Sequence, residues 1–110
     1  MNELDSQKIS CTPGYKLLGD FWTLRIINAL REEERRFSEI ERDLGDCNTS
    51  TLSNRLAKLH GDGIINRNEL SRADVTYSLT DLGKLILPVL AAMDKFTAQF
   101  DKIRRQNTDK

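Results

Sequence analysis

At 110 residues the chain has material for one small domain with a modest core. Its 17 basic side chains are balanced by 17 acidic ones, which excludes a uniformly basic polyanion binder and makes the placement of charge more informative than its sum. No apolar run approaches the roughly 18 to 20 residues of a membrane span, Met1–Ser10 is too polar for a secretory leader, and Cys11 and Cys47 lack metal-ligand or disulfide-scaffold spacing. The expectation is a cytoplasmic protein with no cofactor, no metal and no membrane partner.

Residues 1–11 read as an arm that is loose alone or docks on a partner, polar apart from Leu4 and Ile9. Thr12 then looks like a cap with Pro13 at the first helical position, where its missing N–H costs nothing. Tyr15, Leu17 and Leu18 give that helix a buried side, and Gly19 ends it. Asp20 caps the next helix, Phe21 to Arg31, whose Phe21, Trp22, Leu24, Ile26, Ile27, Ala29 and Leu30 wrap most of the circumference, so it is the expected centre of the core. Trp22 is read as core rather than as a ligand platform. After the charged linker Glu32–Arg36, Ser38 and Glu41 form a capping-box pattern, with Ile40 and Leu44 facing inward. Gly45-Asp46-Cys47 makes a turn in which Cys47 packs.

The chain is organised around the next stretch, Asn48 to Gly63. Leu52, Leu56 and Leu59 recur at i, i+4 and i+7 and so form one apolar stripe. Away from it point Ser50, Ser53, Asn54, Ala57 and Lys58, with Arg55 on the flank and no carboxylate until Asp62. An ordinary exposed helix mixes Glu with Lys, whereas small hydrogen-bonding side chains flanked by cations can approach base edges while the cations hold phosphates. The stretch therefore reads as a recognition helix, with Asn48 as N-cap and Gly61 or Gly63 as its left-handed stop. A partly buried helix with a polar face is the plainer alternative. Local charge favours the first reading: Arg55, Lys58, Arg67 and Arg72 stand against Asp62 and Glu69. The preceding stretch, Arg31 to Asp43, is acidic on balance.

Past Gly63 the period changes to two, with Ile65 to Glu69 and Val75 to Leu79 as strands and Leu70-Ser71-Arg72-Ala73-Asp74 as a polar tip. This is a wing, and Arg72 at its tip either touches DNA or is simply solvated. Thr80 caps a final helix reaching about Arg104, with Pro88 inside it as an expected kink. Its Leu82, Leu85, Ile86, Val89, Leu90, Met93, Phe96, Phe100 and Ile103 form a sustained stripe. The helix would be on the order of 35 Å long, more than one small domain can cover. A second copy is the simplest cover, and Ile86, Val89, Leu90, Met93, Phe96 and Phe100 are the expected dimerisation residues. The fold class is mainly α with a small β-ribbon, in the order α-α-α-α-β-β-α. The expected divisions are 1–11 (arm), 12–79 (winged helix-turn-helix) and 80–110 (dimerisation helix and tail).

Several runs resemble HxlR-type winged-helix transcriptional regulators of bacteria and archaea, relatives of the MarR type, across roughly Cys11 to Phe100. They are Leu17-Leu18-Gly19-Asp20-Phe21-Trp22-Thr23-Leu24; Arg36-Phe37-Ser38-Glu39-Ile40; Leu52 to Leu56 with Leu59 to Ile64; and Tyr77-Ser78-Leu79-Thr80-Asp81-Leu82-Gly83 followed by Leu87-Pro88-Val89-Leu90. The resemblance implies a homodimer joined through the first and last helices, with the recognition helix in the major groove and the wing on the minor groove or backbone. Several members carry a cysteine before the first helix that senses oxidants or electrophiles, which makes Cys11 the redox-sensing candidate. Lys8, Lys16 and a helix N-terminus would favour its thiolate; an unreactive thiol is the other reading.

The expected function is sequence-specific binding of a palindromic double-stranded operator. Thr49, Ser50, Ser53 and Asn54 lie on the reading side, and Arg55, Lys58 and Arg72 hold phosphates. The competing reading is a winged helix that contacts protein and not DNA, for which neutral charge is no puzzle. An enzyme or metal sensor is not expected, because His60 is the sole histidine and no nucleophile–base or paired-carboxylate pattern accompanies it.

Overall fold

The computed structural model describes residues 12 to 108, so the arm and Cys11 lie outside the described residues. Helix α1 (Thr12–Leu18) closes where the Gly19 N–H donates to the Tyr15 carbonyl at 2.8 Å. Asp20 then caps α2 (Phe21–Ala29), accepting from the Thr23 N–H at 2.8 Å and the Thr23 hydroxyl at 2.7 Å. Ile26 and Ile27 are completely buried at the centre of the molecule, as the near-continuous apolar surface of this helix predicts. Phe21 departs from that reading: it is exposed, it meets the half-buried Trp22 edge-on, and Arg25 lies over both rings.

The charged linker hides a short strand, β1 (Arg35–Arg36), that leads directly into α3 (Phe37–Leu44). The helix therefore starts before Ser38, and the expected Ser38–Glu41 capping box does not form. Glu39 instead accepts from the Arg36 N–H at 2.9 Å, while Glu41 accepts from the Thr49 hydroxyl at 2.9 Å. Gly45 turns the chain with φ of 70°, and Cys47 is buried in the core. Helix α4 (Thr49–Gly61) starts as expected, the Asn48 carboxamide oxygen accepting from the Ser50 and Thr51 N–H groups. Of the two candidate stops, Gly63 is the one used. Its φ is 78°, its N–H reaches the His60 carbonyl, and the Ile64 N–H reaches the Leu59 carbonyl.

Strands β2 (Ile65–Ser71) and β3 (Asp74–Leu79) form the wing, and β1 adds to the other side of β3 in an antiparallel sheet of order β1-β3-β2. The strands run further than the sequence alternation indicates. Arg72-Ala73 alone makes the turn, and Leu70 is pushed out at an irregularity between Glu69 and Ser71. Because β3 is central, Thr76 is buried on it, and its hydroxyl donates to Glu34.

The last helix is two helices. Thr80 caps α5 (Asp81–Lys84), the chain breaks at Leu85-Ile86, and α6 (Leu87–Thr108) follows. Pro88 does not kink a long helix; it sits in the first turn of α6, where a missing N–H breaks no bond. The break alters the phase of the stripe. Ile86 and Leu90, expected at a dimer contact, are buried in the chain's own core, whereas Val89, Met93, Phe96, Phe100 and Ile103 are exposed. From Ala91 to Asn107 every residue of α6 is exposed. Among the described residues no helix is long and apolar enough to cross a membrane.

Candidate nucleic-acid interface

Helix α4 is fixed from beneath by Leu52, Leu56 and Leu59, each 2% exposed or less. That orientation turns Thr49, Ser50, Ser53, Asn54, Ala57 and Lys58 outward, all of them exposed. Among the described residues the side chains of Ser50, Ser53 and Asn54 make no hydrogen bond, so their donors and acceptors are available to a ligand. Thr49 is held by Glu41, and Lys58 pairs with Asp62 one turn on at 3.1 Å. The latter is a solvent-exposed pair of the kind that contributes little and yields readily to a stronger anion.

Arg55 behaves differently from the free cation the sequence suggests. It reaches across to Asp20 with Nε–Oδ2 2.8 Å and Nη2–Oδ1 3.1 Å, a two-pronged ion pair between two half-buried side chains. The guanidinium and the Thr23 donors hold the Asp20 carboxyl well below the usual carboxylate range, and Asp20 in turn raises Arg55. Nothing in sequence spacing links positions 20 and 55.

The wing stands beside α4, and a cleft of about 360 Å³ runs between them, lined by Ser53, Ala57, His60, Arg67 and Tyr77 over Phe37 and Leu56. Arg67 and His60 were absent from the sequence-derived set. The signal for Arg67 was its place on the strand face shared with Ile65 and Glu69, and it is ion-paired to Glu69. Arg72 is exposed in the two-residue turn at the wing tip. Cys47 is buried in the core, and that burial pushes its thiol up from its ordinary pKa.

A helix packed on a shorter one across a glycine turn, followed at once by a two-stranded wing, defines a winged helix-turn-helix, the architecture of DNA-binding transcription regulators. The chain belongs to the HxlR-like helix-turn-helix family, whose model matches residues 17–105. It is 39% identical over 90 residues to an uncharacterized HTH-type transcriptional regulator of Halalkalibacterium halodurans, covering 76% of this chain and 80% of that one. A MarR-family transcriptional regulator from Porphyromonas gingivalis W83 superposes with a TM-score of 0.77 at 27% identity, over 83% of this chain and 91% of its own. Quinone-bound YodB from Bacillus subtilis superposes with a TM-score of 0.70 at 27% identity, over 80% and 94%.

Proposed function

We propose that the protein is a sequence-specific regulator that binds a palindromic double-stranded operator as a homodimer. The observation that carries this reading is the outward face of α4, where Ser50, Ser53 and Asn54 are exposed, carboxylate-free and uncommitted among the described residues. An asparagine can bond an adenine edge through two contacts, short hydroxyls suit either partner of a base pair, and Thr49 and Lys58 flank them. Lys58 and Arg72 serve as phosphate contacts. The exposed Met93, Phe96 and Phe100, with Val89, supply the contact to a second copy, which places two α4 helices on two half-sites. In this scheme residues 12 to 90 form the reading body, and α6 beyond them is the dimerisation arm.

Fluorescence-anisotropy titration tests it, using a duplex that the wild-type protein selects from a randomised pool and a scrambled counterpart. Asn54→Ala is expected to erode the preference between the two. Lys58→Ala weakens both alike and lowers the slope of log affinity against log salt by about one. Absence of binding to any duplex in dilute buffer would leave a protein-contact module as the reading.

Likeness to a relative solved with a bound quinone supports Cys11 as the oxidant- or electrophile-responsive thiol, since buried Cys47 is poorly placed for it. Diamide treatment should change DNA affinity in the wild type and leave Cys11→Ser unaffected. An equal response in both removes Cys11 from the role.

A further inference from the structure

The leucine stripe beneath α4 sets which side of the helix is inside, but apolar burial is non-directional and roughly proportional to area. It resists lifting the helix far more than turning it by some degrees about its own axis. Base reading needs tighter control than that, because a recognition constellation has to be held within about 0.5 Å and 10–20° of its productive geometry. Two side-chain contacts tie α4 to its neighbours: at its first residue the single bond from the Thr49 hydroxyl to Glu41, and midway along its flank the two-bond ion pair from Arg55, next in sequence to Asn54, to Asp20. Its two parallel bonds fix both the distance and the plane of the guanidinium. The carboxylate at the other end is itself immobilised, because the same Asp20 caps α2 through Thr23.

We infer that Asp20 and Arg55 are positioning residues for DNA recognition: their two-pronged pair sets the rotation at which α4 presents Ser50, Ser53 and Asn54, and Arg55 is not a phosphate contact. The inference rests on the functional reading above and reassigns one of its residues. The pair acts on discrimination between sequences, because turning α4 misplaces base contacts while leaving Lys58 and Arg72 able to find phosphate. It also joins the reading helix to α2, whose far side forms, with Leu90, Met93, Asp94 and Thr97 of α6, a groove of about 240 Å³. Arg31, just past α2, bonds Asp94 at 3.1 Å. One helix thus carries the grip on α4 at its start and borders the root of the arm along its length.

The test compares wild type, Asp20→Asn, Arg55→Lys and the double variant on the selected and scrambled duplexes, with a thermal melt of each. Asparagine keeps an oxygen for the Thr23 cap, and lysine keeps the charge but not the fork. Each single variant should lose about tenfold in the ratio of selected to scrambled affinity, with scrambled affinity and salt slope unchanged in Arg55→Lys and scrambled affinity no lower than wild type in Asp20→Asn. The double variant should lose no more than either, as expected of groups acting as a unit. If Arg55 holds phosphate instead, Asp20→Asn frees it and both affinities rise by the same factor with the ratio between them unchanged, which overturns the inference. An unchanged ratio, or equal losses on both duplexes alongside a lowered melt, overturns it too. A wild-type protein that selects no sequence sinks the functional reading and this one together, whereas a selective wild type with equally selective variants sinks this one alone.

Discussion

The body and the arm of this molecule are built to opposite rules. In the body, three helices and a small sheet bury Ile26, Ile27, Ile40, Leu52, Leu56, Leu59 and Ile65 almost completely, so the stripe of α4 finds cover within the chain, although Tyr15, expected on a buried side of α1, stays exposed with Phe21, Leu82 and Leu85. In the arm, α6 leaves that cover after Leu90 and carries Met93, Phe96, Phe100 and Ile103 into solvent, with the rings of Phe96 and Phe100 stacked at 5.7 Å. The same spacing of apolar residues thus has two meanings, a closed core where the chain folds back and an unfinished one where it does not.

The sharpest way to break the body is Gly83→Ala. A methyl group there would overlap the Ile64 carbonyl oxygen, and backbone meets backbone, so neither side can give by a rotamer change. A loss of about 3 kcal/mol is expected from urea unfolding, at the upper end for overpacking. The arm should respond in the reverse manner. Phe96→Asp combined with Phe100→Asp removes two large apolar surfaces and is expected to weaken self-association by about a hundredfold or more in sedimentation. The unfolding of the body should change little. A monomeric wild type would remove the contrast altogether.

A smaller effect concerns acid. Asp20 has its pKa depressed in the folded state, so its pair stabilises fully above the unfolded carboxylate value near pH 4 and progressively less as pH falls from there toward the lowered folded value. Asp20→Asn should therefore cost about 1 kcal/mol at neutral pH, a figure reduced for the partial exposure of both partners. The gap to wild type should narrow as the solution is acidified below pH 4. Least costly is a labelling experiment. Buried Cys47, its thiolate disfavoured, should react with iodoacetamide in Cys11→Ser only after the body is unfolded; rapid labelling of the native protein would show the turn to be open.

Local chemistry made much of this legible. The Asp20 cap, the Asn48 cap, the leucine stripe of α4 and the period change into the wing all declare themselves within a few residues, whereas Thr23, which the pattern of α2 leaves facing water, is buried and bonded to Asp20. β1 escaped notice because two arginines offer no alternation; they form a strand only because β3 lies alongside, pairing Arg35 with Tyr77 and Arg36 with Thr76. The split between α5 and α6 was masked by an apolar spacing that continues across the break, which made Pro88 look interior. Arg55 reads as a free cation in sequence because its partner lies 35 residues away. Contacts between distant positions leave no mark on a periodicity.

The carbonyl that Gly83 leaves room for belongs to Ile64, a residue at which three parts of the molecule meet. The Ile64 N–H closes the end of α4 and its oxygen accepts the Thr80 N–H at 3.0 Å, while the Thr80 hydroxyl is shared between the Gly63 oxygen at 2.6 Å and the Ile64 oxygen at 3.0 Å, where β3 hands over to α5. Helix α4, the wing and α5 therefore share one anchorage, which has a bearing on how the chain tolerates insertions. Extra residues at Arg72-Ala73 lengthen a free end and leave the joint intact, whereas a single residue added between Leu79 and Gly83 shifts all three parts at once.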